Sequence, residues 1–236
     1  MIRAKYIFLF FTISFLSVNA QEENQIDESL KGREVFIDDF MNIKVYSGIE
    51  IKLIPSDENK LVISGEDNIS VVAKIKRNTL KIRHTLENIL NPTFTYVELY
   101  HTAILEEISL YQGSDLSSDS IYEQTSINLK VQEGSTMNLV FKGEKISSLV
   151  STGGQLFLSG EVTNHETAVN SGGACEAETL ISEQTRVSVT AGGLSYVNAS
   201  KLIDAKVTAG GIIRIYGSPN KIITKKTIGG QIFEMK

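Results

Sequence analysis

The chain has 236 residues, with 23 Lys and Arg against 28 Asp and Glu and a formal net charge of −5. A mildly acidic surface repels polyanions, and no cluster of basic residues along the sequence overrides it, so nucleic acid is not an expected partner. One cysteine, Cys175, leaves no internal disulfide to form, so packing and backbone ladders must hold the fold.

At the N-terminus Arg3 and Lys5 precede an apolar run over residues 6–15, and Val18-Asn19-Ala20 follows it. This pattern predicts a secretory signal peptide over residues 1–20, cleaved between Ala20 and Gln21. The run is short for a membrane span, which takes about 20 apolar residues. No cysteine stands at the cleavage point to carry a lipid anchor, and no later stretch is apolar enough to span a bilayer. The expected location is outside the cytoplasm, in the periplasm or at the cell surface. Residues 21–34 are polar and read as a flexible lead-in.

Residues 35–107 are strand-rich but irregular. Ile43, Val45, Ser47, Ile49, Ile51 and Leu53 alternate around Gly48, and residues 61–65 form a second short strand. Residues 71–75 and 80–82 read as a hairpin turning at Arg77-Asn78, and residues 88–92 as a loop. This stretch is expected to cap the body that follows, so that its apolar end does not meet water.

Over residues 108–236 the chain repeats. Gly-Gly pairs begin at Gly153, Gly172, Gly192, Gly210 and Gly229, and Gly-Ser pairs at Gly113 and Gly134 precede them, about 19 residues apart. Three residues before the first glycine stand Leu110, Val131, Val150, Val169, Val189 and Val207. Three after it stand Leu116, Met137, Leu156, Cys175, Ser195, Ile213 and Ile232. These rows share one parity and predict strands with one buried side. No stretch after residue 21 shows a 3.6-residue apolar period, so helical crossovers between parallel strands are not available. The predicted fold is all-β, a right-handed parallel β-helix (solenoid) with coils of about 19 residues and a less regular N-terminal part. Residues 35–236 form its single domain.

The paired glycines are expected to bend the chain and to let successive coils approach closely. A phosphate-cradling loop would need a helix after each pair, and none follows. The small residues just before each pair, Thr152, Ser171, Ala191 and Ala209, are expected to line a tight inner bend.

Phe40, the run Val45-Tyr46-Ser47-Gly48-Ile49-Glu50-Ile51, then Leu61-Val62-Ile63-Ser64-Gly65, Leu80-Lys81-Ile82 and the Ser/Thr/Ala-Gly-Gly coils occur in fixed order. In this layout the chain resembles the putative auto-transporter adhesin family, head GIN domain, of exported Bacteroidetes-type proteins. The resemblance covers nearly the whole chain after the leader and implies a right-handed β-helical fold in an extracytoplasmic setting. It brings no residues with assigned chemistry. Gly-Gly stands here where the family often has Gly-Ala.

The residues themselves offer little catalysis. His84, His101 and His165 lack ligand-like spacing, so no metal or other cofactor is expected. Cys175 falls in an inward row and reads as a small buried hydrophobe. Glu176 and Glu178 share an outward face but find no acid on the neighbouring coils and read as solvated charge. The row four residues after the first glycine is different: Phe157, Glu176, Tyr196, Arg214 and Phe233, with Leu194, Ile212 and Tyr216 beside it. Such a strip on a wet face calls for a cover, a second copy of the chain, or a ligand. The first functional reading is therefore a non-catalytic envelope protein that binds a carbohydrate or a protein through this strip. The alternatives are a carbohydrate-active β-helix enzyme (polysaccharide lyase or hydrolase) and a purely structural envelope component assembling through its end coils.

Overall fold

The structure is a computed structural model and describes residues 32–65, 68–85 and 94–235. The leader and most of the lead-in, and the loop expected at residues 88–92, lie outside the described residues. The described chain is a β-solenoid of about seven turns with coils about 19 residues apart.

Period-two alternation of apolar side chains produces strands, and the glycine corners divide each coil into a strand that approaches the corner and one that leaves it. Approaching strands form face I. In spatial order they are β5 (Val71–Lys76), β6 (Thr79–His84), β2 (Asn42–Val45), β8 (Glu107–Leu110) and β10 (Ser126–Val131). The later halves of β11 (Thr136–Val150), β12 (Gln155–Asn170), β13 (Ala174–Thr190) and β14 (Leu194–Thr208) follow, and β16 (Lys221–Lys226) ends the face.

Leaving strands form face II. Their order is β1 (Arg33–Phe36), β4 (Lys60–Gly65), β7 (Thr95–His101), β3 (Glu50–Pro55) and β9 (Asp115–Glu123). The first halves of β11 to β14 follow, then β15 (Gly211–Tyr216) and β17 (Gly230–Glu234). All pairings are parallel except β5–β6, β4–β7 and β1–β4, which close the N-terminal end of the stack.

Two sequence expectations about this end need correction. Gly48 is a full corner, with Val45 and Ile51 buried on either side as in the regular coils, so β2–β3 is a coil of the stack inside the stretch read as irregular. It sits between β6–β7 and β8–β9, out of sequence order. Arg33 and Glu34, read as lead-in, belong to β1, and the Arg33 guanidinium donates to the carbonyls of Asn68 and Val71 at 2.9 and 2.8 Å. The hairpin at Arg77-Asn78 is present as expected, both residues having positive φ.

The corners from Gly48 to Gly210 have positive φ at both central residues, as in a type I′ turn, whereas at the Gly229 corner only the glycine does. Thr152 and Gly153 have φ of 52° and 72°, and the Gly154 N–H closes the turn on the Ser151 carbonyl at 3.0 Å. The first glycine supplies the left-handed conformation; a Cβ on Gly153 would meet nothing within 4 Å. The second supplies space, since a Cβ on Gly154 would stand 2.3 Å from the Val131 carbonyl oxygen. Thr152, Ser171, Ala191 and Ala209 do not line an inner bend: they are exposed at the left-handed position before the glycine, where Gln112 and Glu133 serve equally well.

The inward rows are buried as their parity predicts, from Leu110 and Val131 through Val207 on face I and from Met137 and Leu156 through Ile213 on face II. Each fully buried Val, Leu or Ile contributes about 1.5–3 kcal/mol. Row-by-row register also explains the uneven repeat. The 20-residue step from Gly172 to Gly192 carries a bulge in β13 opposite residues 157–159. At the far end the inward rows break off in charge: Lys226 stands in register with Val207, and Glu234 with Ile215. Charged residues at inward positions of an edge coil oppose pairing with another edge, which works against assembly through the end coils.

Strand register also concentrates charge: five of the ten residues from 74 to 83 are Lys or Arg, and Lys44 joins them across the strands. Lys44 lies opposite Lys81, and Lys81 opposite Lys74, on adjacent strands of face I. Against the expectation that no cluster of basic residues overrides the acidic surface, this end of face I sets Lys44 beside the sequence-local basic residues of the β5–β6 hairpin.

Candidate binding face

The register brings the eight residues of the predicted strip to face II, on the consecutive strands β12, β13, β14, β15 and β17. Phe157 pairs with Glu176, Glu176 with Tyr196, Tyr196 with Arg214, and Arg214 with Phe233. Leu194 pairs with Ile212 in the adjacent row, and Tyr216 with Asn198 in the next. The strands of residues 33–101 occupy the opposite end of the stack, so none of them lies across this face.

Within the strip, the Arg214 guanidinium lies 5.0 Å from the centre of the Tyr196 ring and donates to its hydroxyl at 2.9 Å. Tyr216 meets Tyr196 edge-on, with ring centres 6.2 Å apart. These contacts hold the rings upright and half-buried, while Phe233 at the end is 44% exposed.

Beside the strip, where β13 bulges, lies a recess of about 180 Å³ lined by Asn138, Phe157, Ser159, Glu176, Glu178 and Thr179. Glu178 is not the fully solvated charge expected from the sequence. Its Oε2 is buried and has no hydrogen-bond partner among the described residues, while its backbone carbonyl accepts from Asn198 at 2.8 Å. The local signal for this was the lengthened 20-residue coil, whose extra residue displaces Glu178 from ordinary strand geometry. A buried carboxylate oxygen without a partner invites a donor, and a hydroxyl-bearing ligand supplies one.

A larger groove of about 510 Å³ follows the bends of β11 to β14 and is lined by Glu123, Glu144, Glu161 and Glu183 among others. Two of these four carboxylates form ion pairs: Lys142, in register between Glu123 and Glu161, lies 3.2 Å from Glu123, and Lys201 lies 2.7 Å from Glu183. Among the described residues no three His, Cys, Asp or Glu side chains come together as a metal site. Two carboxyls elsewhere are held below the ordinary range. At Glu107 burial opposes ionisation, but hydrogen bonds from Lys130 and Ser109 outweigh it; at Glu166 the hydrogen bond from Lys145 leads. Both shifts favour the ionised form, opposite to what a general acid requires.

The histidines occupy three separate settings. His84 Nδ1 lies 2.6 Å from Ser70 Oγ. His101 Nδ1 donates to the Ala103 carbonyl at 3.0 Å, leaving Nε2 to accept from the Tyr122 hydroxyl at 2.7 Å. His165 is fully buried in an inward row between Ile146 and Thr185. Cys175 is also fully buried, and burial pushes its thiol up to about 11, far from a reactive thiolate.

Comparison with solved structures finds a putative adhesin of Bacteroides fragilis at 20% identity and a TM-score of 0.79, covering 87% of this chain and 97% of that one. A putative adhesin of Parabacteroides merdae follows at 16% identity and 0.66, covering 89% and 98%. A putative lipid binding protein of Parabacteroides distasonis stands at 16% and 0.63, covering 87% and 96%. At these identities the likeness is one of fold. A comparison with curated proteins finds no match. Residues 39–219 match the family described as "Putative auto-transporter adhesin, head GIN domain", a span that runs from the capping strands through the Gly210 corner. By that match the chain belongs to the head GIN domain family of putative auto-transporter adhesins.

Proposed function

We propose that the protein is a non-catalytic, adhesin-like component of the cell envelope that binds a glycan or protein ligand through the face II strip. The observation that carries this reading is the junction of strip and recess. There the Phe157 ring and the Arg214-braced Tyr196 ring flank carboxylates, one of which has a buried oxygen without a partner. Aromatic rings can stack on sugar faces or anchor a protein, and Glu178 can accept a hydroxyl or amide hydrogen. The recess, small and polar-rimmed, favours a sugar ring over a protein side chain. Membership in an adhesin-like family supports an exported ligand-binding role. The ion pairs of Glu123 and Glu183 in the larger groove support a non-catalytic reading.

The test is a binding screen of the intact protein against immobilised envelope glycans and envelope proteins, repeated with Phe157→Ala and Tyr196→Ala. The expected result is a ligand whose binding both variants weaken by about tenfold, the loss of one aromatic anchor. Unchanged binding in both variants would sink the strip as the binding face.

A further inference from the structure

The capped end of face I carries a second, chemically different surface. Lys44, Lys74, Lys76, Arg77, Lys81 and Arg83 lie on β2, β5, β6 and the turn between β5 and β6. Lys74, Lys81 and Lys44 stand directly opposite one another on three successive strands, an arrangement that like charges disfavour. Among the described residues the only acid that forms an ion pair with this group is Glu107, 3.7 Å from Lys44, and Glu107 is shared with Lys130 at 2.7 Å. The same end of face II is mixed in charge: Glu50 lies opposite Asp115, but Lys52 stands in register with Glu98 and 2.6 Å from Asp119. In a chain of net charge −5, concentrating cations on one face is a specific feature.

The surface is recessed. One hollow of about 380 Å³ is lined by Val72, Lys74, Ile75, Lys76, Lys81 and Arg83. A second of about 300 Å³ is lined by Lys44, Lys76, Arg77, Thr79 and Lys81. They share Lys76 and Lys81 and so form one track across the strands. A flat bilayer surface would not fill two adjoining hollows. A single-stranded nucleic acid would seek aromatic platforms for its bases, and neither hollow has an aromatic lining residue. A chain of sugar rings fits both: rings settle against Val72 and Ile75 while their anionic substituents meet ammonium and guanidinium groups.

We propose that this track binds an acidic polysaccharide, a glycan chain bearing carboxylate or sulfate groups at close intervals. The site is separate from the face II strip and does not depend on it. Recognition is by multiple charge-assisted hydrogen bonds from lysines spaced at the strand pitch of about 4.8 Å, so affinity falls with salt.

The experiment measures binding of the intact protein to oligogalacturonate, dextran sulfate and neutral dextran, with single-stranded DNA and phosphatidylglycerol vesicles alongside. The expected result is salt-sensitive binding of at least one acidic glycan and none of neutral dextran. Preference between the two acidic glycans identifies the anionic group. Lys74→Glu with Lys81→Glu should weaken that binding by about tenfold while leaving the circular dichroism spectrum unchanged, because both side chains are exposed. The same reversal at Lys221 and Lys225, on the far end of face I, should have little effect. The proposal is overturned by failure of both acidic glycans to bind, by equal loss in the two double variants, or by tighter binding of DNA or vesicles through the same lysines.

Discussion

Acidification should unfold this protein partly through one side chain. His165 is wholly buried, and neither ring nitrogen has a hydrogen-bond partner among the described residues. Burial pushes its pKa down to about 4, against an ordinary value near 6.5 in the unfolded chain. Between these values the unfolded state binds a proton that the folded state refuses, so stability falls as pH drops from about 6.5 toward 4. At roughly 1.4 kcal/mol per pKa unit, the loss from His165 is about 1 kcal/mol at pH ~5.5 and about 2–3 kcal/mol at pH ~4.5. His101, whose pKa burial also lowers, adds loss of the same sign. Comparing wild type with His165→Leu isolates the single ring, because Leu fills the row beside Ile146 without a titrating group. Urea unfolding of both proteins at neutral pH and near pH 4.5 should show the variant gaining about 2–3 kcal/mol on wild type as pH falls. A wild-type-to-variant difference that stays constant with pH would refute the picture of a neutral, partnerless ring.

Other outcomes follow from the corners and the stack end. Gly153→Ala should cost about 1–2 kcal/mol through its left-handed φ alone. Gly154→Ala should cost more, because its Cβ would collide with the Val131 carbonyl, and thermal unfolding of the two variants separates the roles. Cys175 should ignore a thiol reagent in the native protein and react fully in denaturant; rapid native labelling would contradict its burial. Replacing Lys226 and Glu234 together by Val should drive self-association in sedimentation velocity, whereas a sedimentation profile identical to wild type would show that these charges do not guard the edge.

The regular coils were legible because each carries its own marker. A Gly-Gly or Gly-Ser pair fixes the corner, and parity around it assigns Val150, Leu156 or Cys175 to the interior with no knowledge of neighbours. The shared face of the face II residues was legible for the same reason, since they stand two, four or six positions after the marker and so have one parity. Features that depend on which strand lies beside which were not. Gly48 bears the same apolar offsets as its later counterparts, but the 65 residues before Gly113 hide the kinship until β6 and β7 are seen to stack on the other side of β2 and β3. Most of the basic track, Lys74, Lys76, Arg77, Lys81 and Arg83, stands within ten residues of sequence and was legible there; only the addition of Lys44 depends on that rearranged order. Glu178 was misjudged because its burial arises from a bulge, which parity counting does not register.

The out-of-order coil gives the molecule a growing end and a sealed one. Beyond β6 and β7 the chain runs β5, β4 and β1 antiparallel to their neighbours, and a further parallel coil has no template there. On the other side successive corners bond to one another, as Gly113 N–H to the Glu133 carbonyl and Gly153 N–H to the Ser171 carbonyl, and Gly210 N–H reaches the Ile228 carbonyl at the last corner. Gain or loss of whole 19-residue units by duplication is therefore tolerable only downstream of β9. Relatives that differ in length should differ there, leaving the basic track at a constant distance from the start of the stack while the aromatic strip moves away from it.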